Sequence, residues 1–116
     1  MWIASLAAVA LAAPTDRCDP LGEAEFRSYV LDAQSAIDRG DIELPSAILA
    51  EVEKRLPCLD HAPQPRMWAD LLVCKAIVEY SRGGDWEGAL ATALAIRPAI
   101  DRGVGTGHPI HDWKPP

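Results

Sequence analysis

Between residues 20 and 100 the apolar side chains recur with a helical period, and no segment alternates as a half-buried strand would. Phe26, Val30, Ala33 and Ile37 stand at i, i+4, i+7 and i+11, one face of a helix that Tyr29 and Ala36 widen. This spacing predicts a first helix over 20–39. Asp19 offers an N-cap, Pro20 suits the first helical position, Glu23 and Glu25 sit near the positive end of the helix dipole, and Gly40 stops the helix. A second helix is expected over 45–56, with Ile48, Leu49, Val52 and Leu56 as its stripe. Glu51, Glu53, Lys54 and Arg55 are assigned to its outward side, and Pro57 ends it. A third, over 65–82, is apolar on most sides, so it is expected to lie centrally with neighbours on two faces; Gly83-Gly84 ends it. The fourth starts at the N-cap Asp85, has Trp86, Leu90, Ala93, Leu94 and Arg97 on one face, and is ended or bent by Pro98. Residues 103–116 are rich in Gly and Pro without a period and read as an irregular tail. The expected fold is all-α: two antiparallel helical hairpins within residues 14–102.

An internal echo supports the hairpins. Arg39-Gly40-Asp41-Ile42-Glu43 recurs as Gly83-Gly84-Asp85-Trp86-Glu87, and each copy sits at the turn inside a hairpin. With Tyr80 before it and Gly88-Ala89-Leu90 after it, the second copy resembles a tetratricopeptide-type repeat, which favours an aromatic, a Gly-Asp-aromatic turn and a small residue in the following helix. The first copy keeps Gly40-Asp41 but has Pro45 where the small residue would stand, and Pro98 comes about three residues early. The resemblance implies a binding scaffold and transfers no catalytic residue.

Residues 1–13 are uncharged and almost wholly apolar, end in Ala10-Leu11-Ala12-Ala13, and precede the polar Pro14-Thr15-Asp16-Arg17. That pattern reads as a secretory signal peptide, although no basic residue precedes the apolar run; either the start lies upstream or the signal is atypical. The competing reading, a membrane anchor, needs about 20 apolar residues where this stretch has about 13, so no stable membrane span is expected. Cys18 follows no lipobox. Export to the periplasm or the extracellular space is the expected location, and Ala and Arg usage suggests a GC-rich bacterial source. The acidic residues concentrate in residues 14–60, with 11 acids against 5 bases, while residues 61–116 balance at 6 each. An acidic first half argues against nucleic acid and anionic membranes as partners.

Export makes disulfides available. Cys18 lies just before the first helix and Cys58 just after the second, and these ends are neighbours in an antiparallel hairpin. A Cys18–Cys58 bond is therefore expected. Its rival, Cys58–Cys74, requires a sulfur in the middle of the third helix to face the loop before it. With Cys18–Cys58 formed, Cys74 remains a free, buried, small apolar side chain.

His108, His111 and Asp112 supply two imidazoles and a carboxylate, but in a loop and without an evident fourth ligand, so no metal is expected. Gly103-Val104-Gly105-Thr106-Gly107 lacks the strand, the lysine and the following helix of a phosphate loop. The acid pairs two residues apart, such as Glu23/Glu25, do not face each other on a helix and read as solvated surface. Trp68 and Trp86 fall on packed faces; Trp113, in the tail, is a candidate partner anchor. No catalytic residue or cofactor is assigned. The leading expectation is an exported scaffold binding a protein or peptide, with Arg27, Tyr29 and Trp113 as candidate contact residues. The alternatives are a self-associating structural module, the N-terminal piece of a longer envelope protein, and a metal-dependent or hydrolytic enzyme centred on His108, His111 and Asp112.

Overall fold

The structure, a computed structural model, describes residues 18–116; the expected signal segment 1–13 lies outside the described residues. The described chain is mostly helical: α1 (Glu23–Asp38), α2 (Glu43–Arg55), a 3-10 turn (Leu56–Cys58), α3 (Pro65–Arg82), α4 (Trp86–Ile96) and a single turn, α5 (Pro109–Asp112). Among the described residues there is no strand, only one isolated parallel bridge between Leu21 and Leu59. No helix among them is long and apolar enough to cross a membrane.

α3 is the central element. α1 and α2 pack on one side of it and on each other, and α4 packs along it from the other side. Leu71, Cys74 and Val78 of α3 join Phe26, Val30, Ala33, Ile48 and Val52 in one apolar cluster. Ala69, Val73, Ala76 and Ile77 join Leu90, Ala93, Leu94, Ile100 and Ile110 in a second. Trp68 stacks on Phe26 with ring centroids 6.1 Å apart.

The two turns that the echo singled out are built alike. Asp41 N–H donates to Ala36 O and Gly40 N–H to Ile37 O; Gly84 N–H donates to Glu79 O and Gly83 N–H to Tyr80 O. Each is a Schellman closure with a glycine in the left-handed region, Gly40 at φ 77° and Gly83 at φ 74°, where a Cβ is strained. The aspartate after each turn caps the next helix. Asp41 Oδ1 accepts from the Glu43 and Leu44 amides, and Asp85 Oδ1 accepts from the Gly88 amide. The second turn is one residue longer between glycine and aspartate.

Three expectations are corrected. α1 begins at Glu23 with Gly22 as its N-cap, not at Pro20. Leu21 is fully buried, its amide donates to Cys58 O, and residues 18–21 run extended along the end of α2, so a tertiary pairing overrides the local capping preference. Arg55 faces inward, only 5% exposed, because it continues the Ile48–Val52 stripe at i+7 and i+3. The tail is not irregular throughout: His108 Nδ1 accepts from the Ile110 amide and opens α5, which seats Ile110 in the second cluster. Arg102 Nη1 donates to the carbonyls of Ile110 and Trp113, and Trp113 meets Trp86 edge-on.

Arg55 ties the N-terminal segment to the helices. Its guanidinium makes two bonds to Glu25, at 2.7 and 2.8 Å, and also donates to the Tyr29 hydroxyl and to the carbonyls of Asp19 and Pro20. Cys18 and Cys58 form a disulfide beside it, with Cα atoms 5.5 Å apart. The hydrogen bonds from Arg55 hold the Glu25 carboxyl below its ordinary value of 4.5. A depressed carboxyl pKa contributes stability that is complete above that value and is lost as pH falls through the folded-state pKa. Glu25→Gln is therefore expected to melt below the native protein at pH 7, with the gap narrowing as the pH falls below 4.5. Thermal melts across that range check it, and a gap of constant size at every pH contradicts it.

Candidate functional site: a groove between the first and third helices

A groove of about 610 Å3 runs between α1, α3 and the segment after α4. From α1 it receives Arg27, Leu31, Gln34 and Asp38; from α3 it receives Arg66, Asp70, Val73 and Ile77. Each set is spaced i, i+4, i+7, i+11, so α1 turns a second stripe, distinct from its core stripe, toward the same space as a stripe of α3 whose last two members, Val73 and Ile77, also belong to the core. Met67, Cys74 and Ile37 add to the floor, and Arg97, Asp101 and Arg102 close the side. Leu31 is 51% exposed, a large apolar side chain on the wall with no core to enter.

The charges in the groove fall into two groups. Arg97 Nη1 contacts Asp70 Oδ1 at 3.3 Å, Arg102 is engaged by the tail carbonyls, and Asp101 Oδ1 accepts from the Gly103 amide. Burial pushes the Asp70 carboxyl up, against the opposing pull of Arg97 and Arg66. Arg27, Arg66 and Asp38 are exposed and make no ion pair or side-chain hydrogen bond among the described residues. Cys74 lies on the floor as a free, buried thiol. Burial, reinforced by the charges of Asp70 and Asp38, pushes its pKa up to about 12, so at neutral pH it is a protonated apolar group rather than a nucleophile. The site offers charges, amides and an apolar floor.

The candidate contact residues separate. Arg27 lines the groove. Tyr29 lies two residues away, on another face of α1: its hydroxyl accepts from Arg55 and lies 3.5 Å from Glu25 Oε2. Trp113 does not line the groove; it packs edge-on against Trp86, which meets Tyr80 in the same way, while His108 lies 4.5 Å from Tyr80. Cys18 and Cys58 are joined. His111 Nδ1 pairs with Asp112 Oδ1 at 2.9 Å, and no group of three or more His, Cys, Asp or Glu suited to a metal assembles among the described residues. Sequence reasoning missed Leu31, Gln34, Asp38, Arg66 and Asp70. The signal that could have found them is their shared i, i+4, i+7, i+11 spacing, hidden because the stripes are mostly polar.

No protein-family model matches this chain, and comparison with the characterised proteins and with the solved structures gave no match.

Proposed function

We propose that this chain is an exported helical scaffold, made of two tetratricopeptide-like hairpins, that binds a protein or peptide partner in the bacterial cell envelope. The observation that carries the reading is the groove. The first helix of each pair turns a matching stripe of side chains into one open channel, and one of those side chains, Leu31, is apolar and half-exposed. The like construction of the turns at Gly40 and Gly83 supports a repeat origin, and the Cys18–Cys58 disulfide suits an oxidising compartment. An array of two repeats is shorter than the three or more that usually sustain such stacks. Here the disulfide closes one end, and α5 with its buried Ile110 covers α4 at the other.

The test is to express the full chain in a bacterium, recover it from the periplasm and determine its first residue. The recovered protein is then screened against a peptide library beside a Leu31→Arg variant. The expected result is a mature chain starting near Pro14 and a set of peptides that bind the native protein and lose binding to the variant. Retention of the uncleaved chain in the cytoplasm would defeat the export reading, and peptides bound equally by both proteins would defeat the groove reading. A second reading, self-association, is favoured by the apolar surface of Leu56, Leu59, Pro63, Pro65, Trp68 and Ile96. Light scattering that shows a dimer at low micromolar concentration, dispersed by Trp68→Glu, would turn the assignment toward it.

A further inference from the structure

We infer that the groove recognises an extended peptide carrying an acidic and a basic side chain on the same face, with an apolar side chain between them. This rests on the partner-binding reading and specifies the chemistry of the partner. Three charged groups in the groove have no partner among the described residues: Arg27, Arg66 and Asp38. They are not mixed. Arg27 lies in the first part of α1, and Arg66 is the second residue of α3. Asp38 is the last residue of α1 and lies on the same stripe as Arg27, eleven residues on.

Eleven residues of helix span about 16 Å. Gln64, just ahead of α3, donates through Nε2 to Glu23 Oε2 at the start of α1, so Arg66 and Arg27 share one end of the groove and Asp38 carries unpaired negative charge at the other. Leu31 lies between them, and Val73 and Ile77 form the floor. Of the other charged groups in the groove, Asp70 pairs with Arg97, while Arg102 and Asp101 are engaged by backbone carbonyls and an amide.

An extended chain advances about 3.3 Å per residue and turns alternate side chains to one face. Positions i, i+2 and i+4 share a face and span about 13 Å, and the lengths of the side chains make up the remainder. An acid at one of the outer positions meets Arg27 and Arg66, a base at the other meets Asp38, and a Leu-sized side chain at i+2 meets Leu31 and the floor. A doubly acidic segment places one carboxylate against Asp38, and a doubly basic one places an ammonium against the two arginines. The groove thus selects for charge order as well as charge, since like-charge juxtaposition works against the wrong partner.

The probes are two peptides, blocked at both ends, of sequence Glu-Ser-Leu-Ser-Lys and Lys-Ser-Leu-Ser-Glu, with their doubly acidic, doubly basic and uncharged analogues. Binding to the native full chain is measured by calorimetry at low and high salt. One of the two mixed-charge orders is expected to bind best and so to report the direction of the bound chain. Each single charge removed is expected to weaken it about threefold, as for exposed ion pairs, and the preference should shrink in high salt. The variant Arg27→Glu with Arg66→Glu is expected to reverse the choice and favour the doubly basic peptide; both positions are exposed, so the fold is retained.

Equal binding of the uncharged analogue, or tighter binding of the doubly acidic one, would overturn the inference. If no mixed-charge probe binds while library peptides still depend on Leu31, the charge selection falls and the groove stands. If no peptide depends on Leu31, both fall.

Discussion

Replacing Cys18 and Cys58 together by serine is expected to lower the melting midpoint by roughly 20 °C. The bond closes a loop with a sequence separation of 40. Restoring the conformational freedom of such a loop to the unfolded chain corresponds to about 4 kcal/mol in the chain-entropy description. In a domain of this size each kcal/mol moves the midpoint by about 4–8 °C. The effect is not only entropic. The disulfide holds residues 18–21 where Leu21 is fully buried and where Arg55 reaches the carbonyls of Asp19 and Pro20. Releasing the segment exposes an apolar side chain and leaves an inward-facing guanidinium short of acceptors. Scanning calorimetry of the double serine variant, or of the native chain with and without a strong reductant, makes the measurement. Cys74 stands apart from the pair as a free buried thiol. A midpoint that moves by only a few degrees would mean that the N-terminal segment is held by its ion pairs alone.

Ile110→Ala is expected to cost about 2–5 kcal/mol, the range for truncating a fully buried aliphatic side chain. Ile110 is 0% exposed and packs with Leu90, Ala93, Ile77 and Val73. It also sits in the only helical turn of the tail, and its carbonyl and that of Trp113 accept from Arg102. The substitution should therefore do more than leave a void: with its anchor shortened, the tail loses its seat, Trp113 moves away from Trp86, and Arg102 is uncovered. Two observations check this beyond the fall in midpoint. Tryptophan emission of the folded variant should shift to the red, and trypsin should cut after Arg102 faster than in the native chain. A variant as stable as the native protein, with unchanged emission, would show the tail to be an ornament on the fold.

The elements legible in the sequence are those whose limits are set locally. Pro65 and Gly83 bracket α3 because a proline needs no amide partner at the first helical position and a glycine accepts the left-handed closure. Asp85 and Pro98 bound α4 for equally local reasons, with Arg97 extended ahead of the proline. The start of α1 was not legible, because Leu21 pairs with Cys58, a partner distant in sequence. Arg55 was assigned outward on its charge, although its register with Ile48 and Val52 pointed inward; three acids and two carbonyls around it make the burial tolerable. Of the candidate contact residues, only Arg27 lines the groove. A stripe such as Arg27-Leu31-Gln34-Asp38 looks like solvated surface until the facing stripe of α3 turns it into one wall of a channel. Tyr29, two residues from Arg27 on the same helix, points in another direction and meets Arg55 instead.

Val73 and Ile77 serve two masters. They form the floor of the channel on one side, and on the other they touch the cluster that receives Ile110. A guest of the kind proposed above would press on the same two side chains against which the tail docks. If binding on the proposed reading shifts those side chains, thermodynamic reciprocity makes the effect of the guest on the tail equal to the effect of loosening the tail on the guest.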